Sequence, residues 1–424
     1  MSAINNSDTS PTQVLLNLLD NTSEQDAEKL RYFSCSLQAQ LFKHASGILL
    51  MREDLLEWHQ DIQESVSTLS SCPSHISQKL YSSPLFRSWF NQLVTSLLEE
   101  HQENQLRALL GLWNNMTYLS EDTAIKRVAI VSGYLVTWDV GLLFELRGEE
   151  TQRNCDCALR YDREEGLCVV SVSLPIEQVE QRRLEGSSII VSNTNPLLRM
   201  KLDERQVPQR SGTTYYDQID ESSINFPPDF SHDTYESPYL LIKKYCPDIA
   251  NDIDEYVSVI VPRGEPTGWT IHGYTISSYQ GACWMTDHGL LKSVETMVHE
   301  MSHIKLRYLE ELIPIFKPDN KNLRFPVPWR SDERPLVGIF EGVYVHVMSA
   351  KALCTISQRH WTDHAFAEGA GKRALEMVKD VRYGLELLLE HSDVTDVGEV
   401  FYEWIAQQCA DIDLSLSQSK CYQA

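Results

Sequence analysis

The stretch SVETMVHEMSHIKLRYLEEL, residues 293–312, constrains this chain more than any other. Leu290, Leu291, Val294, Met297, Val298, Met301 and Ile304 recur at three- and four-residue spacing, which predicts a helix with one buried apolar stripe. His299 and His303 are four residues apart, so on a helix they differ by about 40° around the axis and one turn along it. Their rings therefore share a face roughly opposite the stripe, with Glu310 two turns further on. Such a helix turns its stripe to the core and its paired imidazoles to a cleft.

His299-Glu300-Met301-Ser302-His303 is the H-E-x-x-H spacing, in which two neutral imidazoles chelate one divalent cation. The same five residues also occur in helices that bind nothing, so a third donor decides the matter. Downstream, FPVPWRSDERPLVGIFEGVYVHVMSAKALC reads as a second helix, with Ser331 or Asp332 as cap and Pro335 in the first turn. Glu341 lies inside its apolar run, where an ionised carboxylate is costly unless it is paired or metal-bound. Its two readings are metal ligation and a salt bridge to Arg330 or Arg334. His346 is the reserve ligand, and Glu310 a fallback ligand or outer partner. Gly338 and Gly342 leave room for close approach of a helix or a ligand. Two histidines and a carboxylate serve zinc hydrolases, where Glu300 would be the general base, and equally the facial triad of non-haem iron oxygenases.

The charge balance bears on partners. A net charge of −23 over 424 residues argues against non-specific nucleic-acid binding and against anionic membrane surfaces. The N-terminal MSAINNSDTSPTQ lacks the basic and apolar regions of a signal peptide, and no uninterrupted apolar run approaches a membrane span. The ten cysteines include no C-x-x-C pair and read as reduced, mostly buried thiols. The expectation is a soluble cytoplasmic protein whose oligomeric state the sequence leaves open.

Periodicity divides the chain into three parts. Residues 1–127 read as helical, with Ser23 and Asp26 as plausible caps. Residues 128–288 read as a mixed β region, from runs such as VAIVSGYLVTWDVGLLFEL, GLCVVSVSLP, EYVSVIVPR and GACWMTD. The polar, proline-containing segment 209–238, QRSGTTYYDQIDESSINFPPDFSHDTYESP, reads as a loop or a site cover, as does PDNKNLRFP. Residues 289–424 return to helical periodicity and carry the H-E-x-x-H motif, with the active site expected within 258–350. The fold class is α+β. His360 and His364 repeat the four-residue spacing but sit among polar neighbours, so a solvated helix face is expected there. Arg263, His272 and Tyr274 read as structural residues that could line the cleft.

Taken together, SSYQGACWMTD, ETMVHEMSHIKLRYLEEL and FPVPWRSDERPLVGIFEGVYVHV resemble the HExxH-motif peptide-modification proteins, the α-ketoglutarate-dependent HExxH-type peptide β-hydroxylases. The likeness is best across about residues 235–350. It rests on the strand ending at Gly281, the H-E-x-x-H helix, the PWR-x-D-x-RP segment and the G-x-x-x-G helix start. The first 125 residues match loosely, mainly around SPLFRSWFNQL. The family commonly carries His where this chain has Glu341. The resemblance implies Fe(II) held by His299, His303 and Glu341, with 2-oxoglutarate as cosubstrate and a ribosomal precursor peptide as the substrate to be β-hydroxylated. A distal carboxylate needs a cation, and Arg334, then Arg330, are the candidates. The rival reading is a zinc metallopeptidase processing a peptide, with Glu300 as base.

Overall fold

The computed structural model describes residues 11–20, 24–72, 74–99, 102–120, 123–147, 154–162, 166–199, 225–264, 272–317, 323–330, 332–359 and 363–418. The N-terminal part is helical: α1 (Pro11–Asp20), α2 (Glu24–Leu50), α3 (His59–Ser71), α4 (Ser74–Tyr81), α5 (Pro84–Leu98), α6 (Glu103–Gly111) and α7 (Trp113–Thr117). Strands follow: β1 (Ala124–Val131), β2 (Tyr134–Val136), β3 (Leu143–Leu146), β4 (Asn154–Asp162), β5 (Gly166–Val172), β6 (Ile176–Gln178), β7 (Arg182–Arg183) and β8 (Ile190–Val191). Next come α8 (Asp233–Tyr245), α9 (Pro247–Tyr256), β9 (Val259–Pro262), β10 (Gly273–Thr275) and β11 (Ala282–Met285). The C-terminal part holds α10 (Leu290–Leu312), the short strands β12 (Arg324–Phe325) and β13 (Arg334–Pro335), then α11 (Leu336–Arg359), α12 (His364–His391) and α13 (Asp396–Gln418). Helices and sheets are both present, so the fold is α+β.

The six-stranded sheet runs β5-β4-β1-β2-β3-β6 and pairs antiparallel along β1, β2, β3 and β4. Its first hairpin turns on Ser132 and Gly133, both at positive φ, directly after Val131 pairs with Tyr134. That is the backbone a two-residue hairpin with right-handed strand twist requires, and it divides what reads in sequence as one long apolar run.

The second sheet, β10-β11-β9-β8-β7, separates two cores. Its side chains alternate with the period of two that a strand imposes. Ile190, Val259, Val261, Ala282 and Trp284 join the core built by α2 to α7 and the first sheet. Val191, Ile260, Cys283 and Met285 join the core built by α1 and α8 to α13. β8, β9 and β11 are therefore apolar at every position because both faces are covered.

The division at 128 and 289 needs two amendments. β1 already begins at Ala124, and α8 and α9 lie inside the stretch read as β. α9 was legible: Pro247 opens it, and Ile249, Ala250, Ile253 and Tyr256 form a buried stripe. α8 is masked in sequence by an internal proline, Pro238. Ser23, Ser331, His360 and the part of the polar segment at 209–224 lie outside the described residues. Asp332 does not cap α11 but pairs with Arg330 and Arg334. The nine described cysteines are free thiols, seven of them buried. α11 has the length and apolarity of a membrane span, and 72% of that apolar window is buried inside the protein. Its composition follows from packing against α10, α12 and α13.

Candidate metal centre

α10 carries the expected two faces. Val294, Met297, Val298, Met301 and Ile304 are buried, while Leu290, at the first turn, is 40% exposed. On the other side the rings of His299 and His303 lie 5.0 Å apart, centre to centre. The His346 ring, from α11, stands 5.6 Å from that of His299. Trp329 covers His346 at 5.2 Å. Neither His299 nor His303 makes a side-chain hydrogen bond among the described residues. The Nδ1 of His346 is enclosed beside the Gly342 backbone without a hydrogen bond of good geometry.

All three imidazoles are uncharged at neutral pH. Burial depresses His299 first, with the neighbouring His303 and His346 adding to it. Burial likewise brings His303 down to about 4, against the pull of Glu341, and Arg307, Arg334 and Arg330 push the same way as burial. His346 is also brought down to about 4, first by burial and then by Arg373. Three neutral imidazoles with open lone pairs are a donor set suited to a divalent transition metal. Among the described residues no three His, Cys, Asp or Glu side chains have converged to a metal-binding group.

Glu341, expected as the third ligand, is committed elsewhere. Its Oε1 accepts from Arg307 Nη2 at 2.6 Å, and Arg307 Nη1 holds Glu310 Oε2 at 2.6 Å. Burial alone would raise the Glu341 carboxyl, but Arg307 and His303 outweigh it and hold it below the ordinary range. The paired reading of Glu341 is therefore the observed one, with a partner neither candidate arginine supplies. Arg307 follows His303 by one turn on the same face, a spacing that could have singled it out from sequence.

Arg330 and Arg334 share one carboxylate, Asp332, at 3.0 and 3.4 Å. Gly338 and Gly342 do give room for close approach, but to side chains of the PWR-x-D-x-RP segment. A Cβ on Gly338 would stand 3.2 Å from Arg334 Nε, and one on Gly342 would stand 2.8 Å from Trp329 Nε1. Across the same spot Gly384 of α12 accommodates Trp329 and Val343.

Glu300, about 100° around α10 from His299, packs against β10. It is 3% exposed, and a Cβ on Gly273 would stand 2.9 Å from its Oε1. Burial raises its carboxyl to about 8, opposed by Arg263 and by a hydrogen bond from Thr275. Arg263 stacks over Tyr274 at 4.8 Å, and His272 meets His288 at 4.2 Å. Glu295, one turn before His299, is gripped by Lys292 and by the fork of Arg373 from α12. His364 is exposed at the start of α12, as a solvated face requires.

Two further contacts fix α10. Lys305 Nζ meets Asp252 Oδ2 of α9 at 2.7 Å, both nearly fully buried. Arg87, in the SPLFRSWFNQL segment, donates to Tyr81 O, Ser34 Oγ and Glu311 Oε1, and to Gln280 Oε1 in the turn before β11. It also lies 4.9 Å over the Tyr308 ring. That segment serves as an anchor for the histidine helix. The chain matches no family model and none of the curated proteins compared.

Proposed function

We propose that the chain is a cytoplasmic Fe(II)- and 2-oxoglutarate-dependent oxygenase that β-hydroxylates side chains of a ribosomally made precursor peptide. The observation that supports it is a cluster of three neutral imidazoles bordered by Arg307, Arg330 and Arg334, all acting on His303. In this reading His299, His303 and His346 hold the metal, and Glu341 keeps Arg307 in place beside them. The use of His346 replaces the carboxylate of the expected triad, because Glu341 is already neutralised by a guanidinium. Arg334 receives the distal carboxylate of the oxoacid: its ion-pair partner among the described residues is Asp332 at 3.4 Å, shared with Arg330. When bound, iron and 2-oxoglutarate would supply the means of reducing dioxygen, one atom of which enters a C–H bond to give the alcohol while the other enters the succinate left as the oxoacid loses carbon dioxide. Trp329 shields His346 from water, and Glu300 holds a proton against β10.

Hydrolysis by zinc is the second reading, with Glu300 as the base: burial raises its carboxyl to about 8, within reach of proton exchange near neutral pH, but it would have to leave its packing under β10 to meet a metal-bound water. Succinate release from 2-oxoglutarate by the anaerobically purified protein, given Fe(II) and then air, separates the two. Turnover that needs iron and vanishes in Arg334→Met supports the oxygenase. Peptide fragments formed with zinc and no oxoacid, and lost in Glu300→Gln, would establish the peptidase instead.

A further inference from the structure

We infer that the outer edge of β10 is the strand on which the peptide docks, as one more extended strand of the sheet. The inference rests on the reading above that this site acts on a peptide. β10 ends the five-stranded sheet. Its register pairs Gly273 with Met285 and Thr275 with Cys283, and Thr286 N donates to His272 O. In an antiparallel ladder the backbone groups of residues 272 and 274 therefore face β11, and those of Gly273 and Thr275 face outward. Neither Gly273 nor Thr275 has a backbone partner on that outer side among the described residues, and both are only half-buried. The two sets of outward groups are about 6.8 Å apart. Another extended chain matches that spacing with its own alternate N–H and C=O groups.

The edge lies beside the histidines. A Cβ on Gly273 would stand 2.5 Å from Thr296 Cγ2 and 2.9 Å from Glu300 Oε1, and the Thr275 side chain hydrogen-bonds Glu300. Thr296 and Glu300 are about 60° and 100° around α10 from His299. Tyr274, between them in sequence, points to the opposite face and stacks on Trp284 at 5.1 Å. A strand added to β10 continues this pleat. Every second side chain comes down over α10, and those between point away from the histidines. The bound residue that reaches the imidazoles is thus read together with its neighbours two positions away, and hardly at all with its immediate neighbours. Gly273 permits this because any side chain there would lift β10 off the helix. Two outward residues are too short an edge to hold a second folded copy, but they suffice to align a peptide whose side chains also enter the cleft. The net charge of −23 disfavours a polyanion in the same place.

The test uses the whole protein, immobilised, with a capped library of random decapeptides as the probe and mass spectrometry of the retained members as the readout. A parallel library has every backbone amide N-methylated and so cannot donate to the carbonyls of Gly273 and Thr275. The amide library is expected to be retained at least about tenfold better. Thr275→Pro, which removes an outward N–H, is expected to weaken retention about tenfold relative to Thr275→Val, which removes only the hydroxyl. Hydrogen exchange across residues 272–276 of the unaltered protein is expected to slow with the amide library alone. If Thr275→Pro fails to fold by circular dichroism, the N-methyl and exchange results decide. Equal retention of both libraries, or of folded Thr275→Pro and Thr275→Val, overturns the edge strand and leaves the peptide reading standing. Retention of no member at all by the unaltered protein overturns both.

Discussion

The two sides of the five-stranded sheet solve the problem of buried polar groups differently. On the N-terminal side several buried side chains satisfy themselves on backbone, while the buried charge there, Arg87, reaches across to Glu311 of α10. Asn115, fully buried, donates to Ala129 O and Val136 O and accepts from Ala129 N. The indole N–H groups of Trp89, Trp138 and Trp284 each end on a carbonyl. On the α10 side, burial is of charges and imidazoles: Lys305 with Asp252, Arg307 between Glu310 and Glu341, Glu295 between Lys292 and Arg373, and three histidines left neutral. Buried polar groups with backbone partners fix a shape at little cost, whereas buried ionisable groups cost stability and recur at sites that do chemistry. Under the function proposed above, the α10 side is the working half and the other its support.

The sharpest way to break this comparison is to remove one charge from the working half. Lys305→Met leaves Asp252 buried and uncompensated, and is expected to cost about 3–5 kcal/mol in urea unfolding. Adding Asp252→Leu should recover most of that loss, because an apolar pair can replace a buried ion pair. If Lys305→Met alone is nearly neutral, the pair is not the anchor described here. His346→Ala is expected to act in the opposite sense. It should reduce Fe(II) or Zn(II) affinity by more than about a hundredfold in calorimetric titration, while Glu341→Gln changes it by less than about tenfold. The reverse order would restore Glu341 as a ligand.

The supporting half should respond in stability alone. Asn115→Ala strips the Ala129 and Val136 backbone of their partner and should cost about 1–3 kcal/mol with unchanged metal affinity. A fall in metal affinity there would erase the distinction between the halves. The smallest expected effect is on pH dependence. Burial alone would raise the Glu295 carboxyl, but the Arg373 fork and Lys292 hold it below the ordinary value. A depressed folded pKa contributes stability that is complete above the unfolded carboxylate value, about 4.3, and is lost as pH falls through the folded one. Glu295→Gln should therefore flatten the acid limb of the stability profile by about 1 kcal/mol and leave the profile above pH 6 or so unchanged in shape.

Much of the working half was legible residue by residue. The apolar stripe of α10 and its paired imidazoles follow from spacing, and the glycines at 338 and 342 did signal close approach. What could not be read is which group each donor would meet. Glu341 was separable from a ligand only by seeing Arg307 reach across from the neighbouring helix, and His346, the reserve ligand, only by seeing its ring placed beside His299. Glu300 was assigned to the cleft because it belongs to the motif, yet it packs under β10.

The sequence by itself determined which faces of α10 and α11 are apolar, where the strands alternate, and that two imidazoles share one helical turn, since all three depend only on period and chain geometry. The tertiary structure alone decided the company those side chains keep. An ion pair, a third imidazole and an unpaired strand edge are each made by elements distant in sequence, and their energies depend on separations of a few ångströms that no local pattern encodes.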